Sequence, residues 1–275
     1  MINTINNSLD NDLKDSIRRH LKGRENFPSY QKWFDEYFYL ENRHLKRLVP
    51  DLKQFTMLSK KKILDFGCGT GGSSVALALQ GAEVVGIEPN PLSIDVALHR
   101  AKKYSLQTKI QFLQSNDTLN LPFEDQTFDI CVCYSVLEYI LKDRKKFIGE
   151  MGRVLKKDGI IFIGGTANGI WPIEMHSKKW WINYQKEVSE NVSSTQGISF
   201  WEIQDVLTAP QWRCLNQELS ENGLKRFQKR NPEKSLRNFA LIGFLQTVRV
   251  SLCPIFKVPI DVFTPWLDLA FKKEI

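Results

Sequence analysis

The sequence predicts an α/β fold built on a doubly wound, mostly parallel sheet. Three observations predict it. Short apolar runs alternate with helical patterns between residues 62 and 163, several of those runs are apolar throughout, and a glycine-rich turn follows the first run and opens a helix. A chain of 275 residues with 42% hydrophobic and 25% charged residues shows ordinary globular usage, which excludes disorder, collagen and coiled coil as descriptions of the whole. The opening MINTINNSLD is polar, is expected to be loose, and lacks the basic-then-apolar order of a signal peptide. No uncharged apolar stretch approaches the roughly 18 residues of a membrane span. Phe239 begins the longest candidate, which Arg249 cuts short. A cytoplasmic protein is expected, at most peripheral to a membrane surface.

From Tyr30, the apolar positions Tyr30, Trp33, Phe34, Tyr37, Phe38, Leu45 and Leu48 follow helical spacing until Pro50, predicting one amphipathic helix with an aromatic face. It either packs on a core or covers a ligand. Strands are then predicted at Lys62–Phe66, Glu83–Glu88, Ile110–Gln114, 128–133 and 160–163, the last after a turn at 157–159. Helices are predicted at 73–79, Pro91–Lys103, 143–155 and 199–208, the last opened by the Ser199-Phe200-Trp201-Glu202 capping box. The expected divisions are a helical cap at 1–60, a core at 61–165, an insertion with a helix at 166–210, and final strands with an apolar tail at 211–275.

Five cysteines (Cys68, Cys131, Cys133, Cys214, Cys253) show no CxxC spacing and are expected to be apolar packing residues in a reducing compartment. Four histidines (His20, His44, His99, His176) stand far apart, so no metal site is expected. The net charge of +7 is spread in short runs, which suits anionic partners without arguing for nucleic acid.

Gly67, Gly69 and Gly72 satisfy G-x-G-x-x-G, a weak signal that a dinucleotide-dependent dehydrogenase could share. Two acids shift the balance. Asp65 lies two residues before the first glycine, where a carboxylate would repel a pyrophosphate but would suit a ligand with a cationic amino group. S-adenosylmethionine (SAM) has that group and no phosphate. Glu88 ends the second strand 21 residues after Gly67, where an acid can accept from both ribose hydroxyls. Asp117, after the third strand, can accept from an adenine amine, or serve only as a loop aspartate.

Asp65-x-Gly67-x-Gly69-x-Gly71, then Glu88, Asn116-Asp117, Leu121-Pro122-Phe123, Phe128-Asp129, Leu137-Glu138 and Arg153-Val154-Leu155-Lys156-x-x-Gly159 resemble, in order and spacing, the motifs of class I SAM-dependent methyltransferases. The resemblance covers about residues 60–165. It implies a seven-stranded Rossmann-like sheet in a three-layer sandwich, with one antiparallel strand near the edge and its last two strands drawn from 212–244. It implies Asp65 at the methionine amino group and Gly67, Gly69 and Gly71 along its backbone. Glu88 would hold ribose and Asp117 adenine. Cys68, Pro89, Thr118 and Tyr134 complete the expected contacts, and S-adenosylhomocysteine would be the product. Tyr139 stands where many relatives carry histidine, and a tyrosine with a pKa near 10 is a poor base at neutral pH.

Proton handling is therefore expected from the insertion. Asn168, Pro172, Glu174 and His176 resemble an Asn-x-x-x-Pro-x-Glu-x-His pattern of bacterial glycan and natural-product methyltransferases. His176 would take a proton from an attacking hydroxyl and Glu174 would orient it or bind substrate, or both would only anchor a lid. Trp171, Trp180 and Trp181 are expected as lid core rather than a substrate-stacking cage. O-methylation of a small-molecule or glycan hydroxyl is the resulting expectation. N- or C-methylation, an NAD(P) dehydrogenase and a non-catalytic SAM-binding protein are the rivals. The tail after the basic segment 225–237 is expected to supply edge strands and a helix packed on the core or on a second subunit of a homodimer. The alternative for it is reversible contact with an anionic membrane.

Overall fold

The computed structural model describes residues 2–117, 119–172, 179–185, 195–217, 245, 247–248, 251–253 and 258–275. The chain divides into two units, Met1–Pro122 with Phe128–Val132, and Phe123–Thr127 with Cys133–Ile275. Its strands, with β4 at Phe128–Tyr134 and the others given below, form a seven-stranded sheet in the order β3-β2-β1-β4-β5-β7-β6, the Rossmann-like α/β arrangement that the sequence predicts.

In the first unit, helices α1 (Ile2–His20), α2 (Tyr30–Phe38), α3 (Leu40–Lys46) and α4 (Leu48–Leu52) precede β1 (Lys62–Phe66), α5 (Gly72–Ala78), β2 (Glu83–Glu88), α6 (Pro91–Lys103) and β3 (Ile110–Gln114). β1 pairs in parallel with β2, with Asp65 opposite Gly86, and β2 pairs in parallel with β3, with Glu88 opposite Gln114. Ile63 and Leu64 are fully buried, as a strand covered on both faces requires. Asn90 caps α6 by accepting from the Leu92 amide at 2.9 Å, and Pro91 fills the first helical position.

Two expectations for the N-terminus need correction. The opening residues are helical rather than loose, because Leu13, Ile17 and Leu21 recur every four residues and bury completely against Phe38 and Val96. Each such side chain contributes about 1.5–3 kcal/mol. The single aromatic helix is instead three, broken at Tyr39 and Arg47, and Pro50 sits inside the first turn of α4, where its missing N–H costs nothing.

In the second unit, α7 (Arg144–Val154) runs into β5 (Leu155–Ala167), followed by α8 (Phe200–Gln204), β6 (Trp212–Cys214) and β7 (Trp266–Lys273). β5 absorbs the predicted turn, with Asp158 at φ +61° inside it. β7 is antiparallel to both β5 and β6. The last strand thus comes from residues 266–273, not from 212–244. Buried Asp268 disguises it, because its carboxylate accepts the Gly165 amide at 2.9 Å instead of facing water.

Candidate functional site

The first unit gathers the predicted acids and glycines at the carboxyl ends of β1 and β2. The Gly67 and Cys68 amides both donate to the Ile87 carbonyl, at 2.9 and 3.1 Å, so the loop folds back over the end of β2. Gly71 caps α5 at φ +76°, and a Cβ there would stand 2.8 Å from the Ala97 Cβ, so only glycine fits. Gly69, at φ +52°, has nothing within 4 Å of where a Cβ would stand, leaving room above the loop.

Asp65 is 1% exposed. The Ser73 and Ser74 hydroxyls both donate to its Oδ2 at 2.6 Å, which leaves Oδ1 for another donor. Burial raises its pKa to about 6 against those two bonds, and nearby Glu88 pushes the same way. Glu88 is half-buried and accepts one bond per oxygen, from the Gly69 amide at Oε2 and the Asn90 amide at Oε1, both at 3.1 Å. Each oxygen keeps a lone pair. Burial raises its pKa as well. A buried carboxylate whose charge is disfavoured by a half-buried neighbour is relieved by a cation and by hydroxyl donors.

The remaining predicted residues are placed less uniformly. Cys68 packs its thiol on Gly86, where a Cβ would stand 2.8 Å from Sγ, and burial pushes the thiol pKa up, so it is no nucleophile. Pro89 is exposed, and its carbonyl accepts from Gln114 at 3.3 Å. Asp117 is exposed too, and its Oδ1 accepts the Leu119 and Asn120 amides at 3.0 Å, shaping the loop as a loop aspartate does. The Asn120 side chain, chief among these donors, draws its pKa down. Thr118, Glu174, His176 and the basic segment 225–237 lie outside the described residues.

Tyr134 belongs to the second unit and lays its ring against Gly164 and Gly165, where added Cβ atoms would stand 3.0 and 2.7 Å from it. Asn168, at the end of β5, is buried and donates to the Val262 and Thr264 carbonyls at 2.8 and 2.7 Å, so it ties this end of β5 to residues 262–264. Trp180 and Trp181 are not lid core: each is 62% exposed. Trp181 has φ +61° and sends Ile182 inward in its place. Tyr139 is 53% exposed in a short turn.

Sequence reasoning missed four contributors. Ser73 and Ser74 hold Asp65. Thr70 is 4% exposed, with no partner for its hydroxyl among the described residues. Arg100 is fully buried and donates from Nε to the Thr70 carbonyl at 2.9 Å. Its signal was available, since Ser93, Val96, Ala97 and Arg100 form the buried face of α6 and place a cation among small apolar residues. The orphaned Thr70 hydroxyl, the open space over Gly69 and the unfilled lone pairs of Asp65 and Glu88 fit a polar, amino-bearing nucleoside such as SAM.

Residues 64–163 match the family model described as a methyltransferase domain. Norajmaline N-methyltransferase of Rauvolfia serpentina is 41% identical over 109 residues, covering 39% of this chain and 37% of that protein. Ubiquinone biosynthesis O-methyltransferase of Pasteurella multocida is 35% identical over 123 residues, covering 42% of this chain and 50% of that protein. This chain therefore spans half or less of either relative's length. Among solved structures, a putative sarcosine dimethylglycine methyltransferase from Galdieria sulphuraria aligns with a TM-score of 0.51 at 17% identity, over 84% of this chain and 85% of that one. That likeness shows the fold.

Proposed function

We propose that this chain, whose residues 64–163 match a methyltransferase domain, is a class I SAM-dependent methyltransferase that transfers a methyl group to a hydroxyl of a small molecule. The observation that carries the reading is the acid-lined notch, with Asp65 and Glu88 facing the glycine loop. Bound SAM supplies a methyl group activated by its sulfonium, so the C–S bond breaks as the C–O bond forms and one proton leaves the acceptor.

In this reading Asp65 accepts from the amino group through Oδ1. Glu88 accepts the ribose hydroxyls, and Gly67, Cys68, Gly69 and Gly71 admit the ligand to the backbone. Asp117 completes the adenine side, with Pro89 as a further cofactor contact. His176 receives the acceptor's proton, oriented by Glu174, and the insertion 166–210 forms the acceptor side. Alignment of donor and acceptor near 3 Å and exclusion of water supply most of the acceleration, so a modest base suffices.

Calorimetry tests the site: wild type binds SAM, and Glu88→Ala and Gly69→Val abolish binding. Unaltered affinity in either variant overturns the assignment. His176→Ala that keeps full turnover between pH 6 and 9 removes that residue from the mechanism. The Rauvolfia relative is named for N-methylation, which keeps a nitrogen acceptor as the second reading. Labelled SAM with cell extract, followed by mass analysis of the product, decides the acceptor atom. We place the enzyme in the cytoplasm as a monomer or homodimer, with the tail packed on the core, where β7 lies, or on a second subunit, and with reversible contact of that tail with anionic membrane as the alternative. Full-length protein that stays in the supernatant after sedimentation with anionic liposomes defeats that last point. Among the described residues no helix is long and apolar enough to cross a membrane.

A further inference from the structure

We infer that Arg100 is a positioning residue that couples the N-terminal helices to the glycine-rich loop, so that docking of α2 and α3 and affinity for SAM form one equilibrium. The inference rests on the reading of residues 67–71 as the cofactor loop. It begins with the break between α2 and α3. Ending α2 at Phe38 frees the carbonyls of its last turn, and such carbonyls need donors. Arg100 supplies them across 62 residues of sequence: Nη1 donates to the Phe38 carbonyl at 3.2 Å and Nη2 to the Tyr37 carbonyl. A guanidinium at a helix C-terminus is also favoured by the helix dipole.

The same guanidinium holds the loop through Nε and the Thr70 carbonyl. Fixing that peptide unit orients the Gly71 amide, which donates to the Cys68 carbonyl at 2.9 Å and closes the turn. Beside that turn, a Cβ on Gly72 would stand 2.5 Å from Leu40 of α3, so the helices rest directly on the start of α5. Glu41 neutralises the buried cation through Oε2 at Nη1, and its Oε1 accepts the Tyr104 hydroxyl at 2.8 Å. Arg100 and Glu41 are 0% and 1% exposed, so neither charge has water to fall back on. Only a planar fork can serve two helix-end carbonyls, a loop carbonyl and a carboxylate at once; lysine cannot.

Coupling of this kind is reciprocal. SAM bound at the loop must favour the docked helices, and docked helices must favour SAM. The test is Arg100→Lys, with Tyr104→Phe as a milder variant that removes one bond to Glu41 and leaves both charges. Arg100→Lys is expected to weaken SAM binding at least tenfold and Tyr104→Phe two- to fourfold, by calorimetry on the full chain. Hydrogen exchange supplies a readout that loss of general stability would not produce. In wild type, SAM slows exchange of the Tyr39 amide at the α2–α3 junction as well as those of Gly69 and Gly71. In Arg100→Lys the Tyr39 effect disappears.

A folded Arg100→Lys with SAM affinity within twofold of wild type overturns the inference. Should Arg100→Lys fail to fold, Tyr104→Phe decides: unchanged affinity together with undiminished SAM protection of Tyr39 overturns it. Wild type that binds no SAM defeats the proposed function instead. In that case, faster exchange at Gly69 and Gly71 in the ligand-free variants supports the hold of Arg100 on the loop, and unchanged exchange refutes it.

Discussion

Arg100 in the first unit and Arg144 in the second both lie on helices, both are buried, and both donate to several main-chain carbonyls. Arg144 reaches the Leu137 and Gly197 carbonyls at 3.1 and 3.2 Å, and also those of Ile140 and Gln196. Burial lowers the pKa of each guanidinium, and a nearby glutamate opposes the shift. The partners differ. Glu41 is 1% exposed and in contact with Arg100, whereas Glu202 is 31% exposed and stands 3.6 Å from Arg144. The first arginine belongs to a sealed ion pair beside the candidate cofactor loop; the second is a carbonyl clamp whose carboxylate keeps access to water. The lesson is that a buried cation is expensive to disturb in proportion to how buried its partner is, not to how many bonds it makes.

The largest effect follows from that contrast. Arg100→Met strands a buried carboxylate and is expected to cost about 3–5 kcal/mol of stability. Arg144→Met strands carbonyls and removes a charge that fully buried Glu138 also feels, but its contacting Glu202 can turn to solvent, so the expected loss is smaller, about 1–3 kcal/mol. Urea denaturation of both variants measures the difference, and equal losses would break the comparison. Adding Glu41→Met to Arg100→Met sharpens it: most of the lost stability returns once neither charge is left alone.

Next in size is the pH response of the first unit. Asp65 has its pKa raised from 3.8 to about 6 in the folded chain. A carboxyl raised on folding favours the folded state while protonated, so its contribution is full below the unfolded value and is lost as pH rises through about 6. In the proposed reading the sign reverses with SAM, because the ionised form would accept from the amino group. Affinity for SAM should therefore tighten between pH 5 and 7 in wild type and stay flat across that range in Asp65→Asn. Calorimetry across that range checks it, and a flat wild-type profile would remove the charge on Asp65 from cofactor binding.

The two units also differ in how much the sequence discloses. From residue 62 to residue 114 the strands and helices were legible nearly to the residue, because apolar runs such as Ile63-Leu64 and Val84-Val85 sit between glycine and proline signals. The pair of acids and the glycines of the notch were legible for the same reason, being local in sequence. Long-range partners hid the rest. Tyr39 is a helix break only because Arg100 is there to cap Tyr37 and Phe38, and nothing near residue 39 announces it. β7 lies in the tail expected to supply edge strands, but its bounds were hidden because Asp268 interrupts the apolar run, and only the Gly165 amide explains a carboxylate at that point. Trp180 and Trp181 were misjudged on hydrophobicity alone; Ile182, 2% exposed, is the residue that packs.

The smallest expected effect separates the units by function rather than by energy. Ser199 caps α8 by accepting the Glu202 amide at 3.2 Å, and Asn90 caps α6 by accepting the Leu92 amide at 2.9 Å. Either alanine substitution should remove about 1 kcal/mol. The capping box at Ser199 is only half made, since Glu202 faces Arg144 instead of returning to the cap, so Glu202→Gln should leave the α8 cap intact. Asn90, by contrast, donates its amide to Glu88, and a loosened cap there lets the Glu88 carboxylate move. Asn90→Ala is therefore expected to weaken SAM binding several-fold while Ser199→Ala leaves it unchanged at a matched loss of stability. Thermal melts and calorimetry on the two variants measure both quantities. Equal losses of affinity would mean that the notch responds to general stability and not to the local geometry of β2 and α6.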